Sequence, residues 1–519
     1  MAIKKYTANS DNTISNAFKV DLQTRGTGSN MGAADVLEIF YVSGQTSASA
    51  GLSSEKSRVL VQFDIDKVNQ DRTAGIVPAS GNVEWYLKLC NAPHAYTLPK
   101  DFILQVRAVS ASWQEGYGLD LDNYADETYE GTGSNWIRRG ATGDNLTTWT
   151  TAGGDFLDNS LVLTASNYHD YTASFVDGTE NLLIDVSALV EKWLGGSTAN
   201  YGFAITLSGS YETGSKSNYT KKFFSRTSEY FYKRPTLEAR WDSSIKDNAA
   251  NFARSSSLAT GDDNLNTVFL YNYVKGRLQN IPANASHSDT NEIYLSVYSG
   301  STGNIYDKVT LPVGGDVVAN ADVNVTGGIY IGPEGAVAGI YTASFAMSHS
   351  LDSIYAVWHY KDLVAYHTSS EITVNALNAS NHNPDPDYVT TIDNLKAVYS
   401  TEEEARFRLF VRSKNWNPNN YTVMQTEVPT EVIENAYFSV YRTIDDYEII
   451  PFGTGSSTLP QADGALGSYT RLSYDISGNY FDLDMSLLQE GYEYGLRFAY
   501  YLNGSYKEQK EVFKFKVDK

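Results

Sequence analysis

Apolar residues recur at every second position along most of this chain, the period of a strand with one face on a core. Trp85, Leu87 and Leu89 alternate with Glu84, Tyr86 and Lys88. Phe203, Ile205 and Leu207 alternate with Ala204 and Thr206, and Leu237, Ala239 and Trp241 with Glu238 and Arg240. The pattern persists in Ile293, Leu295 and Val297 against Tyr294, Ser296 and Tyr298, and in Phe513, Phe515 and Val517 against Lys514 and Lys516. This patterning predicts an all-β protein. One helical stripe interrupts it: Val186, Leu189, Val190, Trp193 and Leu194 share a face, Asp185 or Ser187 can cap the start, and Gly195 and Gly196 end it. The acidic residues 400–405 are expected to add a turn of helix.

Two breaks divide the pattern. Residues 242–257 are polar and do not alternate, which predicts a first domain over 1–243. Residues 378–387 place Pro384 and Pro386 among Asn and Asp, a segment that cannot join a sheet and reads as a linker. The two stretches that remain, 250–377 and 388–519, look like copies of one small sandwich. The order of residues 291–298, 340–347, 355–360 and 371–374 repeats in 435–441, 480–485, 494–498 and 511–515.

Composition sharpens this picture. The 519 residues suit three or four domains at roughly 100 to 200 residues each. The 38 Tyr, with abundant Thr, Ser, Asn and Gly, fit strands joined by polar turns, and a stiff ring with a hydroxyl also suits contact surfaces. A net charge of -21 repels phosphate backbones, so nucleic acid is not an expected partner. A single cysteine, Cys90, excludes a disulfide framework and any paired-cysteine metal site. No run approaches the roughly 18 apolar residues of a membrane span, and the first residues have no apolar core of a signal peptide. Folding in a reducing cytosol, with release by lysis or by a dedicated machine, is the expectation.

Candidate chemistry is sparse. No nucleophile elbow, zinc-protease helix, P-loop or dinucleotide fingerprint occurs, so no catalytic residue is assigned and no enzyme is expected. Asp120, Asp122, Asp126 and Glu127 could offer hard oxygen ligands to Ca2+, the one cofactor considered; with the EF-hand glycine missing, a solvated acidic loop is the favoured reading of the same residues. Tyr117, Tyr124, Tyr129 and Trp416 could stack on sugar rings, or simply pack at an interface. Glu115 with Asp120 or Asp122, near Trp113 and Trp136, is the pair a glycoside hydrolase would need.

Three resemblances add expectations. Leu488, Gly491, Tyr494, Leu496 and Phe498 resemble the tyrosine-corner stretch of fibronectin type III domains, with Tyr355 as the counterpart in the preceding copy. This implies two Ig/fibronectin-III-like β-sandwiches over 250–377 and 388–519. The strand with Arg58 and Phe63, the Trp113-Gln114-Glu115 element, Asp185-Val186-Ser187 before the helix with Trp193, Ser225-Arg226 and Pro235-Thr236-Leu237 resemble, in order, the DNRLRE (disaggregatase-related) family, some of whose members bind carbohydrate. That resemblance implies a jelly-roll-like β-sandwich over 1–243, and glycan binding with it. The chain departs from the family's pattern at Ser187 and in its long acidic insertion. Residues 1–18, opening Met1-Ala2-Ile3-Lys4-Lys5-Tyr6, and Thr24-Arg25-Gly26-Thr27-Gly28-Ser29-Asn30-Met31 are similar to the start of virion structural proteins of marine tailed phages of the cyanophage type. The resemblance implies a neck, tail, fibre or capsid-appendage protein, assembled in the host cytoplasm with other virion proteins and with its own copies, and able to touch a host-surface glycan. A bacterial glycan-binding adhesin is the second reading and a polysaccharide hydrolase the third.

Overall fold

A side-chain period of two sends alternate residues to opposite faces of a sheet, and strands form where that period runs unbroken. The computed structural model describes residues 2–19, 23–47, 51–93, 99–119, 133–142, 145–157, 170–257, 259–282, 292–301, 304–309, 325–376, 383–415, 430–454 and 468–519. Over these residues the protein is all-β, with three short α-helices. It divides into two compact units, residues 3–240 and residues 1–2 with 241–519.

In the first unit, strands β1 (Ile3–Thr7), β2 (Ser10–Ser15), β3 (Val36–Ser47) and β4 (Gly51–Gln62) precede helix α1 (Ile65–Thr73). Then come β5 (Glu84–Leu89), β6 (Phe102–Ala108), β7 (Arg138–Thr142), β8 (Asn145–Thr148), β9 (Asp170–Phe175) and β10 (Leu182–Asp185). Helix α2 (Ser187–Leu194), β11 (Phe203–Leu207), helix α3 (Gly209–Thr213), β12 (Asn218–Phe224) and β13 (Thr236–Arg240) complete it. One sheet runs β1-β13-β5-β10; a larger one runs β12-β3-β4-β11-β6-β9, with β2 on β4. Trp85, Leu87, Leu89, Leu237 and Ala239 on the smaller sheet are fully buried, as are Val59, Val61, Leu104, Val106, Phe203 and Ile205 on the larger.

The opposite face of the smaller sheet is not the wet surface that alternation predicts. Glu238 and Arg240 are 1% and 2% exposed. Burial pushes the Glu238 carboxyl up, but Lys5, Lys88 and Arg240 override it and hold the group well below the usual carboxylate range. Desolvation brings the Lys5 amine down to about 8, against the pull of Glu238.

The predicted helix is α2. Asp185 Oδ1 accepts the Ser187 N–H at 2.8 Å, and the Ser187 hydroxyl accepts the N–H of Trp85 at 2.8 Å, which ties the helix start to β5. Helix α1 has no apolar stripe beyond Ile65 and Val68, and was not legible. Asp64 caps it, and Arg72 holds it to Glu191 of α2 through two hydrogen bonds of 2.8 and 2.6 Å. Residues 400–405 make no helix: a turn in which the Glu403 N–H reaches the Ser400 carbonyl leads directly into a strand, because that acidic run sits between two sheet partners.

The second unit holds two sets of strands. The first comprises β14 (Phe252–Ala253), β15 (Asn266–Tyr271), the small hairpin β16 (Tyr273–Val274) and β17 (Arg277–Leu278), then β18 (Glu292–Ser301) and β19 (Asn304–Val309). It continues with β20 (Val325–Gly332), β21 (Gly335–Phe345), β22 (Ser353–His359), β23 (Ala365–Thr368) and β24 (Ile372–Asn375). The second set begins with β25 (Tyr388–Ile392), β26 (Val398–Ser400), β27 (Glu404–Ser413), β28 (Ala436–Arg442) and β29 (Tyr447–Ile450). It closes with β30 (Ser473–Asp475), β31 (Gly478–Asp484), β32 (Glu493–Leu502), β33 (Ser505–Glu508) and β34 (Phe513–Asp518).

Most pairings of the two sets correspond, although β16, β17 and β25 have no counterpart and β18 also pairs β20, so that the earlier set forms one nine-stranded sheet where the later set forms two sheets. β18 pairs β22 as β28 pairs β32, β15 pairs β21 as β27 pairs β31, and the hairpins β18-β19 and β22-β23 match β28-β29 and β32-β33. Each set also has one parallel pair between an early short strand and its last strand, β14 with β24 and β26 with β34. Residues 242–251 touch both sets: the Asp247 N–H donates to the Tyr474 carbonyl at 3.1 Å and the Asn248 N–H to the Thr267 carbonyl at 2.8 Å. The described end of the proline linker lies along the second set, where Asn503 donates to the Asn383 and Pro384 carbonyls and Lys507 pairs with Asp385 at 2.8 Å.

Candidate functional site

The outer face of the larger sheet in the first unit carries polar residues in register. Arg58 on β4, Thr206 on β11 and Gln105 and Arg107 on β6 alternate with the buried apolar residues of the same strands. Arg58 donates to both Glu212 oxygens, at 3.0 and 2.6 Å, and to the Gly153 carbonyl at 2.8 Å. Its guanidinium lies 5.2 Å from the Trp136 ring and 5.4 Å from that of Phe156. Arg107 reaches the same Phe156 ring at 5.6 Å and donates to Gln105, which donates in turn to both Asp170 oxygens at 2.7 Å. Burial lowers the Arg107 pKa, and its Nε is buried with no hydrogen-bond partner. Above this floor opens a cavity of about 700 Å3, lined by Arg58, Arg107, Ser110, Thr150, Asp155 and Phe156. Its size falls in the range of small-molecule sites, roughly 300 to 1,000 Å3. Hydroxyls, guanidinium donors and one aromatic face suit a polyhydroxylated ligand.

A second cluster joins sequence elements far apart in the chain. Arg226 donates to both oxygens of Glu115, through Nε at 2.6 Å and also through its terminal nitrogen. The Asp11 N–H donates to Glu115 at 2.8 Å, and Asp11 Oδ2 accepts the Arg226 N–H at 2.6 Å. Burial, with the charge of Glu115 adding, pushes Asp11 up to about 7 against the pull of Arg226. Trp113, Trp136 and Trp149 pack with Ile14, Leu60 and Val109 in one apolar cluster, and the Trp113 indole donates to the Tyr201 carbonyl at 2.8 Å. These tryptophans are core, with no face open to a sugar.

Of the expected site residues, Tyr117 is described and is 70% exposed. It projects between Gly116 and Gly118, which press so closely on Asn30 that a Cβ at either would lie within about 2 Å of it. Asp120, Asp122, Tyr124, Asp126, Glu127, Tyr129 and Trp416 lie outside the described residues. Among the described residues no group of His, Cys, Asp or Glu is arranged to hold a metal ion. Sequence reasoning missed Arg107, Phe156, Asp170 and Glu212. Gln105 and Arg107 alternate with Leu104 and Val106 and could have been found as an outward face; Glu212, on a five-residue helix, carried no signal.

No protein-family model matches the chain, and no curated protein matches it.

Proposed function

We propose that this chain is a non-enzymatic structural protein of a tailed-phage particle, a neck, tail or capsid appendage that assembles with other virion proteins and with its own copies. The reading rests on the likeness of residues 1–18 and 24–31 to the start of tailed-phage virion proteins, and it is supported by the way the elements shared with the DNRLRE family serve as framework instead of forming an open sugar site. Arg58 is clamped to Glu212, Glu115 of the Trp-x-Glu element is tied to Arg226 of the Ser-Arg element, and Asp185 and Ser187 fasten a helix start to β5. A Glu115 held on both oxygens by a guanidinium is poorly placed to move protons, which weighs against hydrolysis. Two successive strand sets that share most of their pairings suit a spacer. Mass spectrometry of purified particles should find the chain, and antibodies against it should label them. A protein that stays monomeric at high concentration and labels no particle would end this reading.

A second reading, a surface protein that holds glycan, draws support from the cavity over β4 and β6. On a glycan array it predicts a signal that Arg107→Ala abolishes; a wild-type array at background removes it.

A further inference from the structure

Strand β12 carries a lysine that solvent hardly reaches. Lys221 is 2% exposed, and its Nζ donates to Asn91 Oδ1 at 2.7 Å, to the Glu180 carbonyl at 2.7 Å and to the Gly178 carbonyl at 2.9 Å. The Phe175 and Phe223 rings stand 4.8 and 5.1 Å from the same nitrogen. Glu180 offers the amine its backbone carbonyl, while its own carboxylate turns to the N–H groups of Val176 and Asp177, which donate to Oε1. A buried amine on a carboxamide, walled by aromatic rings, brings together a nucleophile and an electrophile.

We propose that Lys221 and Asn91 join in an intramolecular isopeptide bond. The neutral amine attacks Asn91 Cγ, one bond beyond the oxygen it already touches. A C–N bond forms as the bond to Nδ2 breaks; the proton leaving Nζ is taken up by Nδ2, which departs as ammonia. The step is balanced without oxidant or cofactor. Burial brings the amine down to about 8, against the opposing pull of Glu180, so part of the population is neutral near physiological pH. A bond made once per molecule does not require a fast step.

The placement gives the bond a purpose. Lys221 belongs to the larger sheet and Asn91 follows β5 of the smaller one, where residues 90–92 and 222–224 already exchange backbone hydrogen bonds of 3.0 Å. A covalent tie here would lock the two sheets together and close a long loop, which destabilises the unfolded chain as a disulfide does. The chain has one cysteine and can form no internal disulfide.

Intact mass and tryptic mapping of the purified full-length protein test this. The expected wild-type mass is about 17 Da below that of the sequence, with a branched peptide joining the Asn91 and Lys221 segments. Lys221→Arg keeps a cation in the cage but cannot form the bond, and Asn91→Ala removes the electrophile. Both should return to full mass, and Lys221→Arg should melt on the order of 10 °C lower. A full-mass wild type whose digest releases an unmodified Lys221 overturns the proposal, whether or not the variants fold.

Discussion

The two strand sets of the second unit share most of one pairing scheme and fill it differently. In the earlier set, Leu295 pairs with Trp358, and the large indole fits because Gly327 leaves room: a Cβ there would stand 2.8 Å from the ring. In the later set the corresponding pair is Phe438 and Phe498, and Phe481 stacks on Phe438 at 4.3 Å and on Phe407 at 5.1 Å. The corner differs as well. The Tyr494 hydroxyl donates to the Gln489 carbonyl at 2.6 Å, the backbone tie that its sequence context predicts. Tyr355 is not its equivalent. Ile354 pairs with Ile372 as Tyr494 pairs with Phe515, so Ile354 takes the place of Tyr494, and Tyr355, itself buried, turns to the other face toward Glu371. A shift of one residue along a strand exchanges its faces. The scheme thus tolerates either one large ring over a glycine or a stack of phenylalanines, provided the same positions point inward.

Perturbations can break that comparison. Phe481→Ala removes the ring that its neighbours stack on and should cost about 3 to 5 kcal/mol in denaturant unfolding; a loss below about 1 kcal/mol would mean that the stack is not the core of the later set. Asp247, in the segment that touches both sets, is raised to about 7 by burial, with Asp475 adding, although the N–H groups of Ala249 and Phe269 oppose it. A carboxyl raised on folding contributes stability that is full below its ordinary 3.8 and is lost as pH climbs through about 7. Wild-type stability should therefore fall across that window by up to about 1.4 kcal/mol per pH unit. Asp247→Asn should flatten this fall, and an unchanged profile would show that the carboxyl does not govern the joint. Gly327→Ala drives a methyl against Trp358 and should cost about 1 to 3 kcal/mol; a neutral result would mean that the indole has room to move. Smallest is the corner. Tyr494→Phe should cost about 1 kcal/mol and Tyr355→Phe less than about 0.5 kcal/mol, and equal losses would erase the distinction between them.

The fold was legible where the sequence acts locally. Alternation located the strands, the stripe from Val186 to Leu194 located α2, and Leu488, Gly491 and Tyr494 located the corner. Helix α1 was not legible, because it is held by Arg72 and Glu191 rather than by an apolar stripe. The candidate site was less legible still. Its floor draws Arg58, Gln105, Arg107, Phe156, Asp170 and Glu212 from five segments, and Trp113 and Trp136, which the sequence set near a carboxylate pair, lie in the core.

By itself the sequence determined that this is an all-β protein with a repeated motif in its later half, because the period of two and the order of apolar strands are properties of neighbours in the chain. Only the tertiary structure decided which outward faces stay wet. Glu238, Arg240 and Lys221 look like surface residues and are buried, since burial depends on what packs above a strand, and no local pattern records that.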